Sequence, residues 1–132
     1  MVMGIGIDII EIERVEKALA RTARFQQRLF TNQEISECLS KPVPAASFAA
    51  RFAAKEAVFK ALGSGCELGW SSVEVVSGPA GGPEIHLTGQ AAQKAVEIGV
   101  QEIRVSLTHS RQYAAAVAIA MGISLSQVGV GG

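Results

Sequence analysis

The sequence predicts an α+β domain in which a mostly antiparallel sheet packs against one long central helix, and three observations lead there. Apolar residues alternate with a period of two near both ends of the chain, over residues 2–11 and 102–108. Between them lies an alanine-rich run with clustered charge, Arg51-Phe52-Ala53-Ala54-Lys55-Glu56-Ala57-Val58-Phe59-Lys60-Ala61-Leu62, which favours helix throughout. The short apolar runs around the turn Gly78-Pro79-Ala80-Gly81-Gly82-Pro83 are spaced as a hairpin.

Length and charge bound the rest. At 132 residues the chain suits one domain with one core, expected over residues 1–121, and residues 122–132, bearing Gly129, Gly131 and Gly132, read as a loose tail. Twelve Lys and Arg balance twelve Asp and Glu, so no global field recruits nucleic acid or an anionic membrane, and an acidic partner has to be held locally. Cys38 and Cys66 lie in neither a CxxC nor a Cys/His cluster, which argues against a thiolate metal site or a disulfide framework. Asp8 interrupts the one apolar stretch near the start, so a cytoplasmic protein with no membrane segment is expected.

In order, Val2 to Glu11 reads as a strand with Ile5, Ile7 and Ile9 on the face expected to meet the core, and Gly4, Gly6 and Asp8 on the other. Glycines weaken a strand unless something must come close, so that lane is cleared for a backbone or a ligand, with Asp8 at its end. From Ile12 the pattern turns helical, and Arg14, Lys17, Arg21 and Arg24 fall along one helical side, either a solvated face or a docking strip for an acidic partner. Phe25, Leu29 and Phe30 form a short apolar turn, and Thr31 with Glu34 is a capping-box signature. A loop is expected from Ser40 to Pro44, after which Ser47 can cap the central helix; that helix stops at Gly63.

After the loop Ser64-Gly65-Cys66-Glu67-Leu68-Gly69, in which Cys66 reads as a small buried hydrophobe, strands are expected from Trp70 to Val76 and Glu84 to Leu87. Thr88 can cap a helix from Gln90 to Ile98. In the strand Glu102 to Thr108, Ile103, Val105 and Leu107 point inward, and the almost wholly apolar Tyr113 to Met121 is expected to be covered on both faces.

The residues able to do chemistry are Asp8, Glu56, Lys60 and Lys55, with Arg104, Ser106 and Thr108 on the polar face of the penultimate strand and His109 just beyond. Two carboxylates without histidines or thiolates suit a hard cation such as Mg²⁺, which completes its octahedron with waters and substrate phosphates. Lys60, one turn after Glu56, supplies a point charge for a phosphate. Gly63-Ser64-Gly65 is no P-loop, because the glycines follow a helix instead of opening one. The set fits metal-assisted phosphoryl chemistry; a nucleotide pyrophosphatase, or a module that binds nucleotide or carrier protein without transfer, would use part of it.

Three stretches together, Gly4-Ile5-Gly6-Ile7-Asp8-Ile9-Ile10-Glu11, Arg51-Phe52-Ala53-Ala54-Lys55-Glu56-Ala57 continuing through Lys60-Ala61-Leu62-Gly63-Ser64-Gly65, and Val105-Ser106-Leu107-Thr108-His109-Ser110, resemble the holo-acyl-carrier-protein synthases, the small bacterial 4′-phosphopantetheinyl transferases, from Met3 to about Met121. The resemblance implies that family's fold and an Mg²⁺-dependent enzyme of fatty acid biosynthesis. Such an enzyme moves phosphopantetheine from coenzyme A to a serine of apo-acyl carrier protein and releases adenosine 3′,5′-bisphosphate. It implies Asp8 and Glu56 as metal ligands, Lys60 near the coenzyme A phosphates, and Gly63, Ser64 and Gly65 beside the same substrate. It further implies a homotrimer in which Thr108 and His109 reach coenzyme A from an adjacent chain, and in which Arg14, Arg21 and Arg24 hold the carrier protein. The acceptor of the serine proton stays open between Glu56 and a metal-bound water.

Overall fold

The computed structural model describes residues 1–123; most of the expected tail, residues 124–132, lies outside them. The chain runs β1 (Val2–Glu11), α1 (Ile12–Arg21), α2 (Ala23–Leu29), α3 (Asn32–Leu39), α4 (Pro44–Ala61), β2 (Val73–Ser77), β3 (Pro83–Leu87), α5 (Gly89–Ile98), β4 (Val100–His109) and β5 (Tyr113–Gly122). Every strand pairing is antiparallel: one sheet has the order β1-β5-β4, and β2 and β3 form the hairpin. The helix α4 lies across the three-stranded sheet, so the α+β expectation of an antiparallel sheet on a long central helix holds. Gly122 belongs to β5, where its N–H donates to the carbonyl of Met1 at 3.0 Å.

The strand β1 is turned over relative to the sequence expectation. Ile5, Ile7 and Ile9 are 66%, 69% and 66% exposed, and the glycine lane is what packs on α4. A Cβ on Gly4 would stand 1.9 Å from the carbonyl oxygen of Ala61, and one on Gly6 would stand 1.9 Å from that of Ala57. Alternation shows which residues share a face, but two alternating faces differ only in bulk, and here the small face is chosen because an alanine-rich helix sits on it. On β5 the same rule selects Ala114, Ala116, Ala118 and Ala120, all buried, to face α4. The opposite side of β5, with Ala115, Val117 and Ile119, is half-buried, so β5 is covered on one face and not on both.

Other elements differ at their edges. The basic stripe is broken by Thr22, whose extended backbone ends α1 and whose hydroxyl caps α2 by accepting from the N–H of Phe25 at 3.1 Å; Arg24 therefore sits on a second helix, and Phe25 and Leu29 are helical. The capping box at Thr31 and Glu34 is present as read. Pro44, not Ser47, opens α4, since proline fits the first helical turn, and the Ser47 hydroxyl donates to the Cys38 thiol instead. Trp70 to Ser72 form a short 3₁₀ turn, so β2 starts at Val73. Thr88 occupies the cap position of α5 without a side-chain cap, and Cys66 is exposed in its loop, not buried.

Candidate active site

Asp8, Glu56 and Lys60 meet at the end of the glycine lane. Because Gly4 and Gly6 lack side chains, β1 and α4 approach backbone to backbone, and Asp8, next on the same face of β1, comes level with the turn of α4 that carries Glu56 and Lys60. The Lys60 ammonium donates to the carbonyl of Ile7 at 2.9 Å and to Asp8 Oδ1 at 3.3 Å. Asp8 keeps 19% of its side chain accessible and Lys60 51%, so the cluster opens to solvent at its rim. Burial pushes the Glu56 carboxyl up from its ordinary value, the Asp8 charge pushes it further, and Lys60 partly offsets both. Two neighbouring carboxylates, with oxygen donors only, make a fit for a hard divalent cation. Among the described residues no group of three or more His, Cys, Asp or Glu is arranged to hold a metal, so a cation here would draw its remaining ligands from substrate and water.

Lys55 is not part of this cluster. It is fully buried on the other side of α4, where its ammonium pairs with Glu34 Oε1 at 2.8 Å and donates to the carbonyls of Trp70, at 2.9 Å, and Val73. Burial pulls its pKa down and Glu34 pulls it back up. Glu34 is equally committed, accepting from the N–H groups of Thr31 and Val75 at 2.8 Å each. Within one chain, Arg104, Ser106 and Thr108 face away from Asp8: they share the outer sheet face with Ile5, Ile7 and Ile9, in the rows Ile5–Ile119–Arg104, Ile7–Val117–Ser106 and Ile9–Ala115–Thr108. His109 lies at the end of that strand, exposed.

The loop after α4 has the left-handed Gly63 its sequence requires, at φ 70°. Its N–H groups are engaged within the chain: Gly63 donates to the Lys60 carbonyl at 3.0 Å, Ser64 to that of Phe59 at 2.9 Å, and Gly65 to Glu67 Oε1 at 2.9 Å. A phosphate at this loop would therefore have to displace the Glu67 carboxylate or rely on Lys60.

Two clefts escaped sequence reasoning because each joins residues far apart in the chain. One, of about 370 Å³, is lined by Lys41, Val43, Ser47, Arg51, Leu107 and His109. The other, of about 140 Å³, is an apolar hollow between α1, α2 and α4, with Phe25, Leu29 and Phe52 in its wall and Arg14 beside them. Arg21 and Arg24 are exposed at the junction of α1 and α2. Phe25 and Phe52 were the available signal for the hollow, since large aromatics near a basic stripe mark an anchoring surface.

The profile of the 4′-phosphopantetheinyl transferase superfamily matches residues 4–118. The chain is 50% identical over 115 residues to a holo-[acyl-carrier-protein] synthase of Moorella thermoacetica, covering 86% of this chain and 90% of that one. It is 47% identical to that of Desulforudis audaxviator over 131 residues, covering 96% and 98%. Among solved structures, the Helicobacter pylori holo-[acyl-carrier-protein] synthase in complex with coenzyme A superposes with a TM-score of 0.78 at 33% identity, over 89% of this chain and 99% of that one.

Proposed function

The chain belongs to the 4′-phosphopantetheinyl transferase superfamily, and from that premise we propose that it transfers phosphopantetheine from coenzyme A to a serine hydroxyl of apo-acyl carrier protein. The observation that carries the reading is the convergence of Asp8, Glu56 and Lys60 at the end of the glycine lane. In the reaction the serine oxygen attacks the phosphorus next to pantetheine as its proton passes to Glu56 or to a water, the new O–P bond forms, the pyrophosphate P–O bond breaks, and adenosine 3′,5′-bisphosphate departs. Asp8 and Glu56 would hold Mg²⁺, which supplies neutralisation of the charge that builds on the pyrophosphate oxygens. Lys60 places a second positive charge on those oxygens from the α4 side.

The remaining substrate contacts follow from charge and shape. Lys41 and His109, on the rim of the 370 Å³ cleft, suit the phosphorylated nucleotide end of coenzyme A. Arg14 lines the apolar hollow walled by Phe25 and Phe52, and Arg21 and Arg24 are exposed at the α1–α2 junction, a combination that suits an acidic carrier-protein helix with an apolar anchor. The exposed isoleucine face of β1 supports a homotrimer in which the sheet of one chain packs on its neighbour and brings Thr108 and His109 to the neighbour's Asp8 and Glu56. Among the described residues no helix is long and apolar enough to cross a membrane, and the enzyme is proposed to act in the cytoplasm in fatty acid biosynthesis.

The decisive measurement is the intact mass of apo-acyl carrier protein after incubation with the protein and coenzyme A, with Mg²⁺ or with chelator. A gain of one phosphopantetheine that chelator abolishes is the expected result. No gain on several competent carrier proteins would overturn the proposal.

A further inference from the structure

The proposed chemistry gives Lys60 a phosphate to bind, but in this structure its ammonium is aimed elsewhere. It contacts the carboxylate of Asp8 at 3.3 Å and the carbonyl of Ile7, the preceding residue of β1, at 2.9 Å. Its charge also reaches Glu56, one turn earlier on α4, where it opposes the upward push of burial and of Asp8. The ammonium thus pairs with one of the two carboxylates that a divalent cation would need and sets its charge within reach of the other. Two positive charges competing for Asp8 oppose each other, and with both groups partly accessible the opposition is moderate rather than absolute.

Resting on the transferase reading above, we propose that Lys60 couples cation binding to phosphate binding, by competing with the divalent cation for Asp8 until a substrate phosphate draws the ammonium away. Lys60 is suited to the exchange. Its head group is half exposed on a flexible four-carbon stem, and its contacts to β1 are one ion pair at the long end of hydrogen-bond range and one hydrogen bond to an uncharged carbonyl. When a pyrophosphate oxygen takes the ammonium, Asp8 is left with its full charge for the cation. The cation in turn strengthens the phosphate, so by linkage each ligand raises the affinity of the other. Lys60 here acts as a coupling residue as well as a phosphate contact, and the coupling is visible without turnover.

The test is the binding of Mn²⁺, followed by the loss of its free-ion paramagnetic resonance signal, to the full chain alone and at saturating coenzyme A with no carrier protein present. Wild type, Lys60→Met, Lys60→Arg and Asp8→Asn are compared. Lys60→Met is expected to bind Mn²⁺ more tightly than wild type in the absence of coenzyme A, by roughly fivefold or more, and to show a smaller tightening when coenzyme A is added. Lys60→Arg, which keeps the charge, should stay near wild type in the coenzyme A-free titration. Equal Mn²⁺ affinity in wild type and Lys60→Met, or an unchanged tightening by coenzyme A, overturns the coupling if Asp8→Asn has lost Mn²⁺. Unchanged Mn²⁺ affinity in Asp8→Asn would instead sink the metal-site reading on which the coupling rests.

Discussion

Two lysines five residues apart on α4 have opposite work. Lys60 is half exposed and meets Asp8, whereas Lys55 is sealed between Glu34 and the carbonyls of Trp70 and Val73, with the Phe30 ring 5.7 Å away. Replacing Lys55 by Ala would strand the fully buried Glu34 carboxylate, and breaking one side of such a pair costs about 3–5 kcal/mol. Urea unfolding of Lys55→Ala should show that loss, and adding Glu34→Gln should recover part of it; Lys60→Met should unfold near wild type. A Lys55→Ala protein as stable as wild type would mean the pair is not structural. Glu37, which accepts from Arg51 Nη1 at 2.9 Å, makes a pH-dependent contribution of the same kind. Burial pushes its carboxyl up, but the Arg51 hydrogen bond and charge, the Ser77 N–H and Lys41 outweigh it and hold it below its ordinary 4.5. A carboxyl depressed in the folded state stabilises above its unfolded pKa and loses that contribution as pH falls through the folded value. Wild type should therefore lose more stability than Glu37→Gln when urea midpoints are taken from pH 7 down to below about pH 4; parallel losses would remove Glu37 from the acid response.

At the scale of elements, the contact between β1 and α4 decides both packing and site. Gly6 admits the carbonyl of Ala57 where a methyl group would stand 1.9 Å from it, and 2.9 Å from Lys60 Cβ. Backbone cannot yield there as a flexible side chain would, so Gly6→Ala should destabilise by about 1–3 kcal/mol or more and should reduce transfer beyond the unfolded fraction, because Asp8 moves off the Glu56–Lys60 turn. Full specific activity in the folded Gly6→Ala protein would separate the glycine lane from catalysis. This contact also shows what could be read beforehand. The lane itself was legible, because Gly4 and Gly6 alternate with isoleucines in a strand where glycine is otherwise costly. Its direction was not: the isoleucines look like core until it is known that the covering helix is built of Ala53, Ala57 and Ala61, all buried. Asp8, Glu56 and Lys60 were legible as residue types suited to a hard cation and a phosphate. The burial of Lys55 was not: helical spacing turns it away from the Glu56 and Lys60 face but does not say which face meets the interior. The break at Thr22 was hidden for a related reason, because a capped restart continues a helical charge pattern across two axes.

At the scale of the whole molecule, the three-stranded sheet has one face on α4 and another that a single chain leaves open. That open face carries Ile5, Ile7 and Ile9 at about two-thirds exposure beside Val117 and Ile119, and a contiguous apolar patch of this kind marks an association surface. The same face carries Ser106 and Thr108, so a second copy docked on the isoleucines would come against polar residues that one chain cannot bring to Asp8, whereas His109, paired with Ala114, lies on the α4 side at the end of β4. Ile7→Lys should therefore sediment as a smaller species than wild type while keeping its circular dichroism, since Ile7 packs on nothing in its own core. A stronger test distinguishes a shared site from mere association. Glu56→Ala and His109→Ala chains, each with its own tag, are co-expressed and purified through both tags. If sites form between neighbours in a ring of three, each mixed assembly regains about one intact site in three, although either variant alone is inactive. If His109 serves the Asp8 and Glu56 of its own chain, every site in the mixture lacks one group and activity stays at the level of the single variants. Regained transfer would thus establish that the active site is completed between neighbouring chains.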